Sequence, residues 1–174
     1  MTKFQTETLP KKHIVANIKI IKADTSKAFE QGKILFEEYA GTLGFDLGYQ
    51  DFKKELETID MQYNEPEGAL LLCLIDAEIG AGCAGVRKFS NGIAELKRLY
   101  VRPDYRNLKI GKRLLESAVA VAKELNYQFI RLDTVPGQKK AQELYQYLGF
   151  YEIEPYRYSP IEGTIFFEKK LAED

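Results

Sequence analysis

The segment Glu95 to Lys112, ELKRLYVRPDYRNLKIGK, reads as a strand that passes through a short turn into a helix, and this unit limits what the rest of the chain can build. From Ile93 to Val101 β-branched and aromatic residues dominate, and Pro103, which has no N–H for a ladder, ends the run. Beyond the polar turn Ile110, Leu114, Ala118, Ala122 and Leu125 recur close to helical spacing. A helix start leaves backbone N–H groups unpaired at the positive end of the macrodipole, which suits a phosphate or diphosphate. Arg106, Lys109, Lys112 and Arg113 surround this start with positive charge. The dipole opposes cations at that end of a helix, and an anion held between them removes the conflict.

The elements on either side follow from pattern and punctuation. Asn17 to Lys22 alternates as a first strand, and Thr25 or Ser26 caps a helix running to about Thr42. A glycine-rich loop, Gly44 to Tyr49, leads into a short helix over about Gln50 to Thr58, and Asn64 to Gly68 is a turn cluster. Two apolar runs, Ala69 to Ile75 and Ile79 to Phe89, form a hairpin across Asp76-Ala77-Glu78. A second hairpin turn, Ser90-Asn91-Gly92, enters the strand at Ile93. After the long helix come a strand over Gln128 to Thr134, a helix over Gln138 to Leu148 with Gly149 as its C-terminal stop, and strands over Phe150 to Tyr156 and Thr164 to Lys170. The order β-α-α-β-β-β-α-β-α-β-β predicts an α/β (α+β) domain: a mixed, largely antiparallel central sheet of about seven strands flanked by about four helices. Residues 1–15 are expected to form a flexible N-terminal tail and residues 16–174 a single domain.

Composition closes several routes. With 45 % apolar and 29 % charged residues the chain is an ordinary globular sequence, and its net charge of −1 gives no global argument for nucleic acid or an acidic membrane. The longest apolar candidate, Ala69 to Ile75, falls far short of the ~20 residues of a spanning helix. The N-terminus has no apolar core of a secretory signal, so a cytoplasmic location is expected. His13 is the sole histidine, which disfavours a histidine triad or a zinc centre, and no metal site is expected. Cys73 and Cys83 sit in apolar strands as free core thiols.

With that element order, two motifs resemble the GNAT acyltransferase superfamily, whose members move acetyl from acetyl-CoA to an amine. The family's diphosphate motif, Q/R-x-x-G-x-G/A, is matched by Arg106-Asn107-Leu108-Lys109-Ile110-Gly111. A second signature, A-x-x-L-Y-x-x-L-G-F, is met at Ala141 to Phe150. The segments LGFDLGYQDF and ELKRLYVRP, with PYRYSP near the end, look like a bacterial branch whose acceptors are largely unassigned. Lys109 stands where the motif has its first glycine, and Asn107 where glycine is common; a Cβ there narrows the cradle, while the lysine adds a charge for phosphate. Gln138 takes roughly the place of the asparagine frequent after the fifth strand.

What the resemblance implies can be set against the chemistry. An alkylamine of pKa ~10.4 is neutral only about once in 2,500 molecules at pH 7, a cost of roughly 4–5 kcal/mol, so the amine needs a proton acceptor. Glu95 lies eleven residues before Arg106, the spacing of the basic glutamate in histone acetyltransferases of this superfamily, and is the expected base. A family bulge in the fourth strand frees backbone N–H groups about where Leu99, Tyr100 and Val101 stand, to hold the pantetheine and polarise the thioester carbonyl. Leu99, Tyr100, Val101, Arg106, Asn107, Leu108, Lys109, Ile110, Gly111 and Lys112 are thus expected to bind the cofactor. Tyr145 matches the tyrosine that serves the departing thiolate, although Ala141, Tyr145 and Leu148 also form an ordinary packing stripe. Asp46, Tyr49, Tyr156 and Tyr158 fall in loops expected to flank the acceptor, a small-molecule or peptide amine. Exposed aromatics near the last strands suit a homodimer contact.

Rival readings fare differently. The Gly111-Lys112 pair superficially fits a nucleotide-binding P-loop, but Arg106 replaces its first glycine and Arg113 its magnesium-binding hydroxyl. A nucleic-acid module lacks both charge and motif. An acyl-CoA-binding sensor with little turnover stays open, because Lys109 alters the cradle.

Overall fold

The protein is described by a computed structural model over residues 17–171; the expected tail, with His13, lies outside the described residues. Seven strands form one sheet in the order β1-β2-β3-β4-β5-β7-β6. They are β1 (Ile18–Lys22), β2 (Ala69–Ile75), β3 (Ile79–Ser90), β4 (Ile93–Val101), β5 (Phe129–Thr134), β6 (Tyr151–Ile153) and β7 (Ile165–Lys170). Every neighbouring pair is antiparallel except β4 and β5. The helices are α1 (Ser26–Gly41), α2 (Phe52–Glu57), α3 (Ile59–Gln62), α4 (Ile110–Glu124) and α5 (Lys139–Tyr147).

Local chemistry accounts for most boundaries. Thr25 caps α1, its Oγ1 accepting from Ala28 N at 3.2 Å. The β2–β3 hairpin turns across Asp76-Ala77-Glu78, with Asp76 and Ala77 both at positive φ and Glu78 N donating to Ile75 O at 3.1 Å. Gly149 adopts φ 83 and ends α5 as expected. The strand expected over Phe150 to Tyr156 is shorter, running from Tyr151 to Ile153, because Pro155 carries no N–H to continue the ladder. Pattern reading missed α3, a single turn that buries Ile59 and delivers Tyr63 into the core, so the described residues hold five helices rather than about four.

Two cores sandwich the sheet. On one face α4 buries Ile110, Leu114, Leu115, Ala118, Val121 and Ala122 against Ala94, Leu96, Ile130 and Leu132, joined by Tyr145 and Phe150. Each fully buried aliphatic side chain of this kind contributes about 1.5–3 kcal/mol. On the other face α1 and α3 cover Leu70, Leu72, Cys83 and Tyr100 with Phe36, Ile59 and Tyr63. Both cysteines are free and buried. Among the described residues no helix is long and apolar enough to cross a membrane.

The line between the two halves of the sheet matters most. β4 and β5 run parallel and pair only at Ile93–Phe129, Ala94–Ile130 and Glu95–Arg131. Past Glu95 the strands diverge, so the edge of β4 from Leu96 onward has no strand partner on that side. On its opposite side β4 bulges: register passes from Lys97 opposite Gly85 to Tyr100 opposite Cys83, leaving Arg98 and Leu99 against Ala84 alone. Arg98 takes φ 57 there. The bulge reverses the alternation of the strand. Ala94 and Leu96 face the α4 core, and so do Leu99 and Val101, while Tyr100 faces α1. An unbroken strand would have put Glu95, Lys97, Leu99 and Val101 on one face, and the bulge separates the first pair from the second.

Candidate active site

Divergence of β4 from β5 opens a cleft of about 560 Å³. Its walls are Leu96, Leu99, Tyr100 and Val101 of β4, Leu132 and Asp133 of β5, Tyr39 of α1, the start of α5 from Gly137 to Ala141, and Leu144 and Tyr145. Arg106 and Gly111 close one end. Backbone polar groups on a strand edge without a partner must be answered by something, and a bound amide-containing chain is one answer.

The turn before α4 keeps the shape that a glycine would permit. Asn107 and Lys109 both occupy the left-handed region, at φ 69 and 58. Asparagine tolerates that region well; lysine does so less easily. A Cβ built on Gly111 would meet only Val101 Cγ2, at 3.8 Å, so its space toward the cleft is open. Arg106 donates from Nε to Val101 O at 3.2 Å, tying the turn to the end of β4. The other expected cofactor residues do not line the cleft. Ile110 is buried in the α4 core, Leu108 is 47 % exposed, and Lys112 faces outward, 3.7 Å from Glu116 and over the Tyr147 ring. Asn107 and Lys109 do not line the cleft either.

Tyr145 reaches the cleft from α5 while its ring packs against Phe150 and Phe167, with centroids 5.9 and 6.0 Å apart. Burial raises its hydroxyl well above the usual phenol range, with Tyr39 and Asp133 adding to the effect. It therefore remains a hydrogen-bond donor at any physiological pH. Gln138 precedes α5 and accepts from Thr134 Oγ1 at 3.1 Å.

A second, larger cavity of about 850 Å³ lies beyond β4, lined by Glu95, Arg87, Arg157, Gln50, Gln62, Glu55 and others. Between the two cavities sits a neck of about 30 Å³, space for roughly one water. The neck shares Tyr39, Leu96, Arg98 and Asp133 with the cleft and Gln50 with the larger cavity, and Tyr49 and Lys97 also line it. Lys97 Nζ donates to Gln50 Oε1 at 2.8 Å and stands 3.9 Å from Asp133 and 4.0 Å from Glu95. Burial, and secondarily Arg98, pull Lys97 down to about 7.

The expected acceptor-side residues divide. Tyr49 lines the neck and accepts from Gln50 Nε2 at 3.1 Å. Tyr156 donates to Glu95 Oε1 at 3.2 Å behind the larger cavity. Asp46 is spent on the turn before α2, accepting from Gly48 N, and Tyr158 is 79 % exposed; neither lines a cavity described above. Glu95 is 1 % exposed, and both its oxygens are engaged: Oε2 by Arg87 Nε and Nη2 at 3.2 and 3.1 Å, Oε1 by Tyr156 and Arg157.

Residues 33–150 match the model of the acetyltransferase (GNAT) family. The chain belongs to the GNAT acetyltransferase family. An uncharacterised N-acetyltransferase of Schizosaccharomyces pombe is 31 % identical over 159 residues, covering 91 % of this chain and 98 % of that relative. One from Dictyostelium discoideum is 28 % identical over 213 residues, with 87 % and 97 % covered. Among solved structures, a GNAT acetyltransferase of Staphylococcus aureus Mu50 superposes with a TM-score of 0.73 at 27 % identity, covering 90 % of this chain and all 100 % of that one. The Salmonella typhimurium acetyltransferase yncA, solved with acetyl-CoA, shares the fold at a TM-score of 0.64 and 15 % identity, covering 90 % and 95 %. The GNAT match runs from within α1 to Phe150, so it takes in the splayed strands, the Arg106–Gly111 turn and the Tyr145 helix. This GNAT chain is an acetyltransferase.

Four residues at the junction escaped sequence reading. Asp133 follows Arg131 by two in an alternating strand and so faces the same side as Glu95, a signal that needed the β4–β5 register. Lys97 was legible only as the neighbour of Glu95. Tyr39 looked like part of the α1 packing stripe. Arg157, in the loop between β6 and β7, fell inside the PYRYSP segment without being given a role.

Proposed function

We propose that this enzyme transfers the acetyl group of acetyl-CoA to a primary amine by direct attack, the cofactor lying in the β4–β5 cleft and the amine arriving from the larger cavity through the neck. The observation that carries this reading is the unpaired β4 edge beside an open glycine and an arginine. Acetyl-CoA supplies a thioester activated toward aminolysis. Arg106 and the backbone from Asn107 to Lys112 hold diphosphate, with Gly111 allowing close approach. The free N–H groups of β4 between Leu96 and Val101 pair with the pantetheine amides and polarise the carbonyl.

Tyr145 donates a hydrogen bond to the sulfur as it leaves. Full proton transfer from a phenol to a thiolate whose conjugate acid has pKa near ~8.5 runs uphill, so the hydroxyl acts as a donor that stabilises charge. Two carboxylates compete to take the ammonium proton. Glu95 is saturated by Arg87, Tyr156 and Arg157. Asp133 accepts no hydrogen bond among the described residues and lines both cleft and neck, with Lys97 its nearest cation at 3.9 Å. We therefore assign proton acceptance to Asp133 and the positioning of the surrounding cations to Glu95.

The test is release of free thiol from acetyl-CoA in the presence of a panel of primary amines, with each product identified by its added acetyl mass. Amine-dependent release supports the reading. Cofactor binding with no amine-dependent release from the panel contradicts it.

A further inference from the structure

Glu95 is one buried carboxylate serving three cations. Arg87 takes Oε2 with two bonds, Arg157 pairs with Oε1, and Lys97 Nζ lies 4.0 Å from the same oxygen. The other acids facing the larger cavity do not relieve this excess. Glu55 is closed by Arg98, Nη2 to Oε2 at 2.7 Å, and Glu67 is paired with Lys88. Asp51 and Lys54 balance each other in charge on the α2 rim. Across the whole lining, charge is even; at the floor it is positive.

Arg157 is the cation least answered. Its Nε and Nη2 are both buried, Nη2 set against Glu95 and Nε with no hydrogen-bond partner among the described residues, so Nη1 is the nitrogen left toward the larger cavity. Its guanidinium lies 5.1 Å from the Tyr156 ring centroid and 5.9 Å from that of Phe89, contacts that fix it without using its hydrogen-bonding edges. Burial, and then the adjacent Arg87, hold it below the usual guanidinium range. Desolvated cations clustered in this way are costly unless an anion joins them, and a guanidinium N–H gives a carboxylate oxygen a charge-assisted bond.

Resting on the transferase reading above, we infer that the acceptor is a primary amine that also carries a carboxylate, and that Arg157, backed by Arg87, binds the carboxylate on the floor of the larger cavity while the amine enters the neck. With Lys97 answered by Asp133 at 3.9 Å, Arg87 and Arg157 against Glu95 leave the floor one excess positive charge, which fits a monoanionic carboxylate better than a dianionic phosphate. Lys97 and Asp133 then meet the amine, and Gln50, which lines both spaces, stands between the two ends of the acceptor.

The experiment is binding to the intact protein in the presence of coenzyme A. Thermal shift and calorimetry compare N-acetyl-L-leucine, N-acetyl-L-phenylalanine and N-acetyl-L-glutamate with their α-carboxamides, in the wild type, Arg157→Gln and Arg157→Lys. The acids are expected to bind at least about tenfold more tightly than the amides, from the value of a charge-assisted bond. Arg157→Gln should erase that preference and Arg157→Lys retain part of it. Equal binding of acids and amides by the wild type overturns the inference, whatever the variants do. Acetylation of free amino acids and their amides is measured in parallel. Acid-selective binding without thiol release from any amine sinks the transferase reading and leaves the anion site standing, whereas equal rates with acids and amides sink the anion site alone.

Discussion

Arg98, at φ 57 in the middle of β4, closes on Glu55 of α2 with Nη2 to Oε2 at 2.7 Å and Nε to Oε1 at 3.2 Å. The pair is buried on both sides, and Tyr63 Oη adds a third bond to Glu55 at 2.6 Å. Arg98 lowers the Glu55 carboxyl against the opposing effect of burial, so the pair is ionised. The bulge that turns Leu99 and Val101 toward the cleft is thus pinned by an ion pair reaching to a different helix.

Glu55→Gln should lower unfolding free energy by about 3–5 kcal/mol, because it strands a buried guanidinium. Replacing both partners, Glu55→Met with Arg98→Met, should recover much of the stability yet weaken coenzyme A binding, since nothing then holds the bulge. Urea unfolding and calorimetry on the same samples check both halves. Recovery of stability with unchanged affinity would separate the bulge from cofactor binding.

Tyr145→Phe should reduce kcat about 10- to 100-fold, the value of a hydrogen bond to a developing charge, and leave coenzyme A affinity within about twofold. Steady-state rates beside calorimetric affinities decide. Parallel losses in both would make the residue a packing element only.

The two carboxylates are told apart by their pH profiles. Asp133→Asn should depress kcat about 100-fold or more near neutrality, with partial recovery as pH approaches the pKa of the amine and the need for a base fades. Glu95→Gln should raise KM and lower stability while leaving the shape of the kcat profile unchanged. The opposite pattern would return the base role to Glu95.

Lys97 couples stability to pH. Its folded value, about 7, lies below the ~10.4 of an unfolded lysine. The unfolded chain then binds more protons between those values, so stability rises with pH. The groups facing its ammonium are Gln50, Glu95, Asp133 and Arg98, with Arg87 and Glu55 beyond. Up to about 2 kcal/mol should be gained between pH 7 and 9, and Lys97→Met should flatten that slope. A flat wild-type curve over this interval would place the lysine in a wetter site.

The fold was legible wherever period and punctuation agreed. β2 and β4 match their apolar runs to the residue, and the cap at Thr25 or Ser26, the stop at Gly149 and the turn over Asp76-Ala77-Glu78 were expected where they stand, although nothing in Ala77 announced its positive φ. The motif-bearing ends of the cleft, Arg106, Gly111 and Tyr145, were equally visible. What stayed hidden depends on register. Arg98 reads as an ordinary strand residue until the bulge sets its parity, and that parity decides whether Leu99 faces the cleft or the acceptor side. Glu95 was found, but its partners come from β3 and from the loop holding Tyr156 and Arg157, which no local pattern connects to it. Lys109 looked like a defect in the cradle, yet the backbone there adopts the left-handed turn of a glycine.

Calorimetric titration of the purified protein with coenzyme A, wild type beside Gly111→Val, tests the cleft most directly. A Cβ at Gly111 meets nothing nearer than Val101 Cγ2 at 3.8 Å, so the position has room for a side chain, and an unchanged thermal unfolding curve for the variant checks that only the diphosphate is obstructed. Micromolar binding by the wild type, weakened at least about tenfold in the variant, is the predicted outcome. No heat at millimolar coenzyme A, or equal affinity in both proteins, would contradict it.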